Sequence, residues 1–134
     1  MTEVIIASDA SWIINEVTAV LGGDDTSFRV VHSGAQVRGA VGTTTPDIVI
    51  LDLQIGNMGG MATCIDLRLE SGAGRLPEVP VLMLLDRAAD VYLAQQSGAN
   101  GWLVKPLDAF RLRKAINAVL DGGTYHETTA AGVA

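Results

Sequence analysis

Charged side chains stand at the C-terminal ends of short apolar runs in this chain. Asp9 follows Val4-Ile5-Ile6-Ala7-Ser8, and Asp52 follows Ile48-Val49-Ile50-Leu51. Asp86 follows Val81-Leu82-Met83-Leu84-Leu85, and Lys105 follows Trp102-Leu103-Val104. On an open parallel sheet, ligands bind beyond the carboxyl ends of the strands, where strand order reverses. If the first and third runs are neighbouring strands, Asp9 and Asp52 face one crevice. Two carboxylates held close repel, and both stay ionised only beside a cation. A hard divalent ion such as Mg²⁺, with oxygen ligands and retained waters, meets that need. Lys105 adds a compact positive charge able to hold a carboxylate or a phosphoryl oxygen. Plainer readings stand beside these: Asp9 as a helix cap, Asp52 as a loop aspartate, and Lys105 as a structural ion-pair partner.

The elements that would position these residues alternate. Val4 to Ala7 reads as a strand buried on both faces. Ile13, Val17, Val20 and Leu21 recur at helical spacing, and Gly22-Gly23 stops that helix. Phe28 to Val31 is a weaker strand, followed by a short helix from about Gly34 to Val41. Ile48 to Leu51 is the clearest strand; a helix from about Gly59 to Glu70 follows it. Val81 to Leu85 is again fully apolar, with a polar helix from about Ala88 to Ser97. The short segment Asp86 to Asp90 suggests that this fourth helix is displaced or partly irregular. Trp102 to Val104 is a last strand, and Asp108 can cap a helix whose core stripe is Leu112, Ala115, Ile116 and Val119. Continuous apolar strands separated by helices mean an α/β fold with a doubly wound parallel sheet and helices on both faces. One domain over residues 1–123 is expected, with 124–134 a short flexible tail.

Composition excludes several classes. The chain has 134 residues, 49% hydrophobic and 18% charged, so a disordered chain is excluded. Net charge is −6, which argues against direct nucleic-acid binding and against a membrane surface. The single cysteine, Cys64, allows no internal disulfide and no Cys-rich zinc site, and reads as a small core residue. His32 and His126 lack partners at ligand spacing and are expected at the surface. No signal peptide or spanning segment is visible, so a cytoplasmic setting is expected.

Pro46-Asp47-Ile48-Val49-Ile50-Leu51-Asp52-Leu53 resembles the phosphoacceptor strand of bacterial response-regulator receiver domains. Ser97 to Asp108, with its Lys105-Pro106 pair, resembles their closing segment, and Val4 to Asp9 resembles their first strand and acidic loop. The resemblance covers roughly residues 3–121, and the order and spacing of the motifs make it specific. It implies a flavodoxin-like (βα)₅ fold with five strands in the order 2-1-3-4-5. It implies that Asp52 accepts a phosphoryl group from a histidine kinase or phosphotransfer protein, and that Lys105 pairs with Asp52 before reaction and with a phosphoryl oxygen afterwards. Mg²⁺ would be held by Asp9, Asp52 and the backbone carbonyl of Gln54, whose side-chain identity would matter little. The Lys105-Pro106 bond is typically cis in that family.

The pattern departs from the family at Ser8, which replaces the first of two acids, and at Leu85, where a Thr or Ser hydroxyl is usual. Asp86 stands where a small residue is usual, and Gly56 replaces a proline, which should loosen that loop. With Leu85 in place, Trp102, at the family's aromatic switch position, is expected to keep one rotamer or to serve as packing. Trp12 reads as a rim aromatic. With no output domain after the receiver, output is expected through a downstream protein bound by the fourth and fifth helices; a second copy of the chain is another candidate partner. Arg111, Arg113 and Lys114 cluster on the fifth helix as a solvated face or part of that surface. No enzymatic turnover of a released substrate is expected. The alternative function is a pseudo-receiver, a binding module independent of phosphorylation. A flavodoxin-like cofactor binder is disfavoured by the lack of a phosphate-cradling glycine loop.

Overall fold

The computed structural model describes residues 2–23 and 25–127. Its strands are β1 (Thr2–Ala7), β2 (Thr26–Val31), β3 (Ile48–Asp52), β4 (Val81–Leu85), β5 (Gly101–Val104) and β6 (Tyr125–His126). The helices are α1 (Ser11–Leu21), α2 (Val37–Thr44), α3 (Gly60–Gly72), α4 (Val91–Gln96) and α5 (Ala109–Leu120). All strand pairs are parallel, in the order β2-β1-β3-β4-β5-β6. The expected order of the first five strands is present. The sixth strand was not expected.

The period-two geometry of a strand explains why the central runs are apolar throughout. Ile5, Ala7, Val49, Leu51, Met83 and Val104 point to one face, where they pack with Val37, Cys64, Leu67 and Ala94 from α2, α3 and α4. Their neighbours Val4, Ile6, Ile48, Ile50, Leu82 and Leu103 point to the other, against Ile13 and Val17 of α1 and Leu112, Ile116 and Val119 of α5. β3 and β4 are buried along their whole length, whereas β2 lies at the edge and is half-exposed, which is why its sequence pattern is weaker.

Connections run outward in opposite directions from β1 and β3, so the switch point lies between them, beside Asp9 and Asp52. A 3₁₀ turn at Gly34–Gln36 precedes α2, and another at Ala88–Asp90 precedes the six-residue α4. The expected irregularity before α4 is therefore present. Asp90 reaches back to accept the Arg87 amide at 3.0 Å, which fixes that turn.

The flexible tail expected from residue 124 is corrected over residues 125–127; residues 128–134 lie outside the described residues. Tyr125 and His126 pair with Gly101 and Trp102, and Glu127 is buried. The physical reason is a carboxylate that finds donors in the body of the domain, which a reading based on small polar residues does not detect.

Candidate functional site

Asp52 ends β3 with 1% of its surface exposed. A buried carboxylate needs donors, and this one has three. The Lys105 ammonium donates to Oδ1 at 2.7 Å, the Gln54 amide donates to Oδ1 at 3.1 Å, and the Ser8 hydroxyl donates to Oδ2 at 2.9 Å. Ser8 in turn accepts the Ala10 amide at 3.1 Å. Residues far apart in sequence thus meet because β1, β3 and β5 end on one rim of the sheet.

Lys105 also donates to Asp86 Oδ1 at 2.9 Å, and the Gln54 side-chain amide donates to the other Asp86 oxygen. The ammonium is shared by two carboxylates. Burial pulls the Lys105 pKa down, but its bonds to Asp52 and Asp86 outweigh burial and hold it above the ordinary lysine value. Burial pushes the Asp86 carboxyl up, yet the bonds from Lys105 and Gln54 and the charges of Lys105 and Arg87 leave it below the usual range. Competition between Asp86 and Asp52 for the lysine, an expectation raised by the sequence, is the observed arrangement. The expectation that the Gln54 side chain matters little is corrected. It points across the site and ties the β3 rim to the β4 rim.

Asp9 is exposed at the rim and accepts the Gly56 amide at a long 3.4 Å. It does not cap α1, whose N-cap is Ala10 with no side-chain cap bond. The loop after β3 is not left loose by Gly56. Gly34 donates to the Gly56 carbonyl and Ala35 to the Asn57 carbonyl, each at 3.0 Å. Asn57 and Met58 adopt positive φ of 50° and 77° to close this loop. The approach is so close that a Cβ on Gly34 would lie 1.7 Å from the Met58 carbonyl oxygen.

Leu85 is fully buried and offers no hydroxyl. Trp102 is 3% exposed, stacked on the His126 ring at 4.1 Å, and its indole nitrogen donates to the Glu127 carbonyl at 2.9 Å. Its inward placement is held by these two contacts. The Lys105-Pro106 bond is cis. Cys64 is buried, Trp12 is half-exposed and His126 is exposed, as expected. Arg111 does not belong to a solvated face. It is folded onto Glu127, Asp108 and the Val104 and Pro106 carbonyls, leaving Arg113 and Lys114 exposed.

With this geometry in view, the family profile described as the response regulator receiver domain matches residues 4–117. The chain belongs to the response regulator receiver domain family. The receiver is 32% identical over 119 residues to the DNA-binding response regulator MtrA of Mycobacterium tuberculosis, matching 87% of this chain and 50% of that protein. It is 29% identical over 133 residues to the sensory transduction protein RegX3 of Mycolicibacterium smegmatis, matching 98% of this chain and 56% of that protein. The chain thus spans about half the length of these relatives. Among solved structures, the chemotaxis response regulator CheY4 of Vibrio cholerae superposes with a TM-score of 0.77 at 24% identity, covering 89% of this chain and 98% of that one. A putative response regulator from Chloroflexus aurantiacus gives 0.79 at 23% identity, covering 90% and 98%. These neighbours show the shared fold. Among the described residues, no helix is long and apolar enough to cross a membrane.

Proposed function

We propose that this receiver, a module of two-component signalling, takes a phosphoryl group on Asp52 and signals by binding another protein. The observation that carries the reading is the 2.7 Å contact between Lys105 and Asp52 at the sheet's switch point. An Asp52 oxygen would form a bond to phosphorus while the P–N bond to a donor imidazole protonated on its other ring nitrogen breaks, the electron pair staying on the released nitrogen to give neutral imidazole. Oδ2 has one partner, Ser8, and is the less engaged oxygen. Lys105 already sits where it can follow charge from the carboxylate to a phosphoryl oxygen.

The residues present fit Mg²⁺ in donor chemistry. Asp9, Asp52 and the Gln54 carbonyl are all oxygen donors, and Asp9 is exposed with a single long bond. When bound, the ion would offset charge on the transferring group. Ser8 contributes a hydroxyl where a second acid would add charge, so the set is one charge poorer than a three-carboxylate site.

A histidine kinase or phosphotransfer protein is the proposed donor, in a cytoplasmic setting. Output through α4 and α5 is supported by Tyr92, Leu93 and Phe110, which are 66%, 54% and 75% exposed. Turnover of a released substrate is no part of this reading. Incubation with a small phosphodonor and Mg²⁺, read by intact mass, tests it. A gain of one phosphoryl group is expected in the native chain and none in Asp52→Ala; no gain, or an equal gain in both, sinks it.

A second reading, a phosphorylation-independent binding module, is favoured by the Asp86–Lys105 contact and the pinned Trp102. It requires partner affinity to survive Asp52→Ala and a chelator.

A further inference from the structure

We propose that the groove between the outer edge of β2 and α2 is a binding site for a small organic carboxylate, and that its occupant bears on Ser8. The groove encloses about 460 Å³, within the range of small-molecule sites. Arg29, Val30, Val31 and His32 line one wall, and Gly39 and Ala40 of α2 line the other. β2 ends the sheet, and its register settles which peptide groups face outward. The Asp25 carbonyl accepts the Thr2 amide at 2.7 Å, and the Val31 carbonyl accepts the Ser8 amide at 3.0 Å. Odd-numbered residues of β2 therefore bond inward to β1, and Val30 turns its amide outward. The next outward amide, that of His32, is taken by Gln36 Oε1 at 3.1 Å. The Val30 amide has no partner among the described residues.

Arg29 stands in the same groove and forms no ion pair among the described residues. A guanidinium beside an unpaired strand amide is a donor set for a carboxylate. In a chain of net charge −6 it is a local positive spot that selects anions. Val31 and Ala40 are buried and give the groove an apolar floor, and a Cβ on Gly39 would meet nothing within 4 Å. The occupant is therefore a small acid with an apolar body. His32 adds a third group. Its Nδ1 lies 3.2 Å from the Ser8 carbonyl, which only accepts, so Nδ1 carries the proton and the neutral ring leaves Nε2 to accept a hydroxyl of the occupant. Two groove residues thus hold the Ser8 backbone, Val31 by its carbonyl and His32 by its ring, while the Ser8 hydroxyl donates to Asp52 at 2.9 Å. An occupant that draws on His32 shifts the backbone from which that hydroxyl hangs. Binding itself is independent of phosphoryl transfer at Asp52.

The test titrates the unphosphorylated full chain with 4-hydroxybenzoate and follows amide chemical shifts. Saturable shifts are expected at Val30, Val31, His32, Gly39 and Ala40 with a Kd of about 1 mM, and the Ser8 amide is expected to move with the same midpoint. Arg29→Met is expected to weaken binding at least tenfold, and Gly39→Leu, which fills the groove without displacing backbone, to abolish it. Circular dichroism confirms the fold of both variants; should Gly39→Leu not fold, Arg29→Met decides alone. Neutral 4-hydroxybenzyl alcohol and inorganic phosphate are each expected to bind at least tenfold more weakly than the acid. Shifts that never saturate, undiminished affinity in folded Arg29→Met, or equal binding of the alcohol overturn the site. Phosphate that binds as tightly as the acid overturns the assignment to an organic carboxylate. A Ser8 amide that stays still while the groove saturates overturns the link to Ser8.

Discussion

Replacing Lys105 with methionine keeps the apolar stem and deletes the charge that two carboxylates share. Asp52 is 1% exposed, so after Lys105→Met its carboxyl would be left with only the Ser8 hydroxyl and the Gln54 amide as donors. Asp86 would face it without an intervening cation. Removing one partner of a buried ion pair costs about 3–5 kcal/mol. The Lys105 side chain is 14% exposed and that of Asp86 25%, so water screens part of the loss and the lower end, about 3 kcal/mol, applies. For a domain of this size that is a fall in Tm of roughly 9–15 °C. Neutralising the orphaned acid should recover part of it. Lys105→Met with Asp52→Asn is expected to be more stable than the sum of the single losses by about 1–3 kcal/mol. The assay is urea unfolding followed by circular dichroism at pH 7 on the native chain, both single variants and the double variant. A Lys105→Met loss under about 1 kcal/mol, or strict additivity in the cycle, would refute the claim that one buried cation holds two carboxylates together.

Further outcomes follow from the same contacts. Glu127→Ala strips the Val104 amide and Arg111 of their acceptor and is expected to cost about 2–3 kcal/mol, against less than half of that for Glu127→Gln, measured by thermal unfolding. The Asp86 carboxyl titrates below its ordinary 3.8, so its contribution is complete above that pH and fades as pH falls through the lowered value; the stability gap between native chain and Asp86→Asn should be constant from pH 5 to 7 and shrink toward pH 2. A constant gap down to pH 2 would contradict the Lys105–Asp86 contact. Gly34→Ala drives a methyl into the Met58 carbonyl and is expected to cost about 2–3 kcal/mol, with the loss seen as a lower urea midpoint; a neutral result would mean that the loop beside Asp52 is not pinned as described.

The alternation of apolar runs and helical stripes determined the parallel sheet, because burial on two faces leaves a periodic mark in the chain. The same pattern placed Asp9, Asp52, Asp86 and Lys105 at strand ends, since a strand that stops being apolar has left the core. Sequence also marked Leu85 as lacking a hydroxyl and Asp108 as a cap, and its side chain does accept the Arg111 amide at 2.9 Å. Which donors each carboxylate would take was decided only in three dimensions. Ser8 on Asp52, Gln54 on Asp86, and one ammonium divided between two acids depend on side-chain reach across neighbouring strands, which leaves no period to read. Glu127 is the extreme case. Nothing near it in sequence distinguishes it from a solvated tail residue, and its burial follows from Arg111, sixteen positions earlier, and from the bare edge of a strand that closes the sheet. Hydrophobic burial is written along the chain, whereas the pairing of buried charges is set by where folding brings their counter-ions.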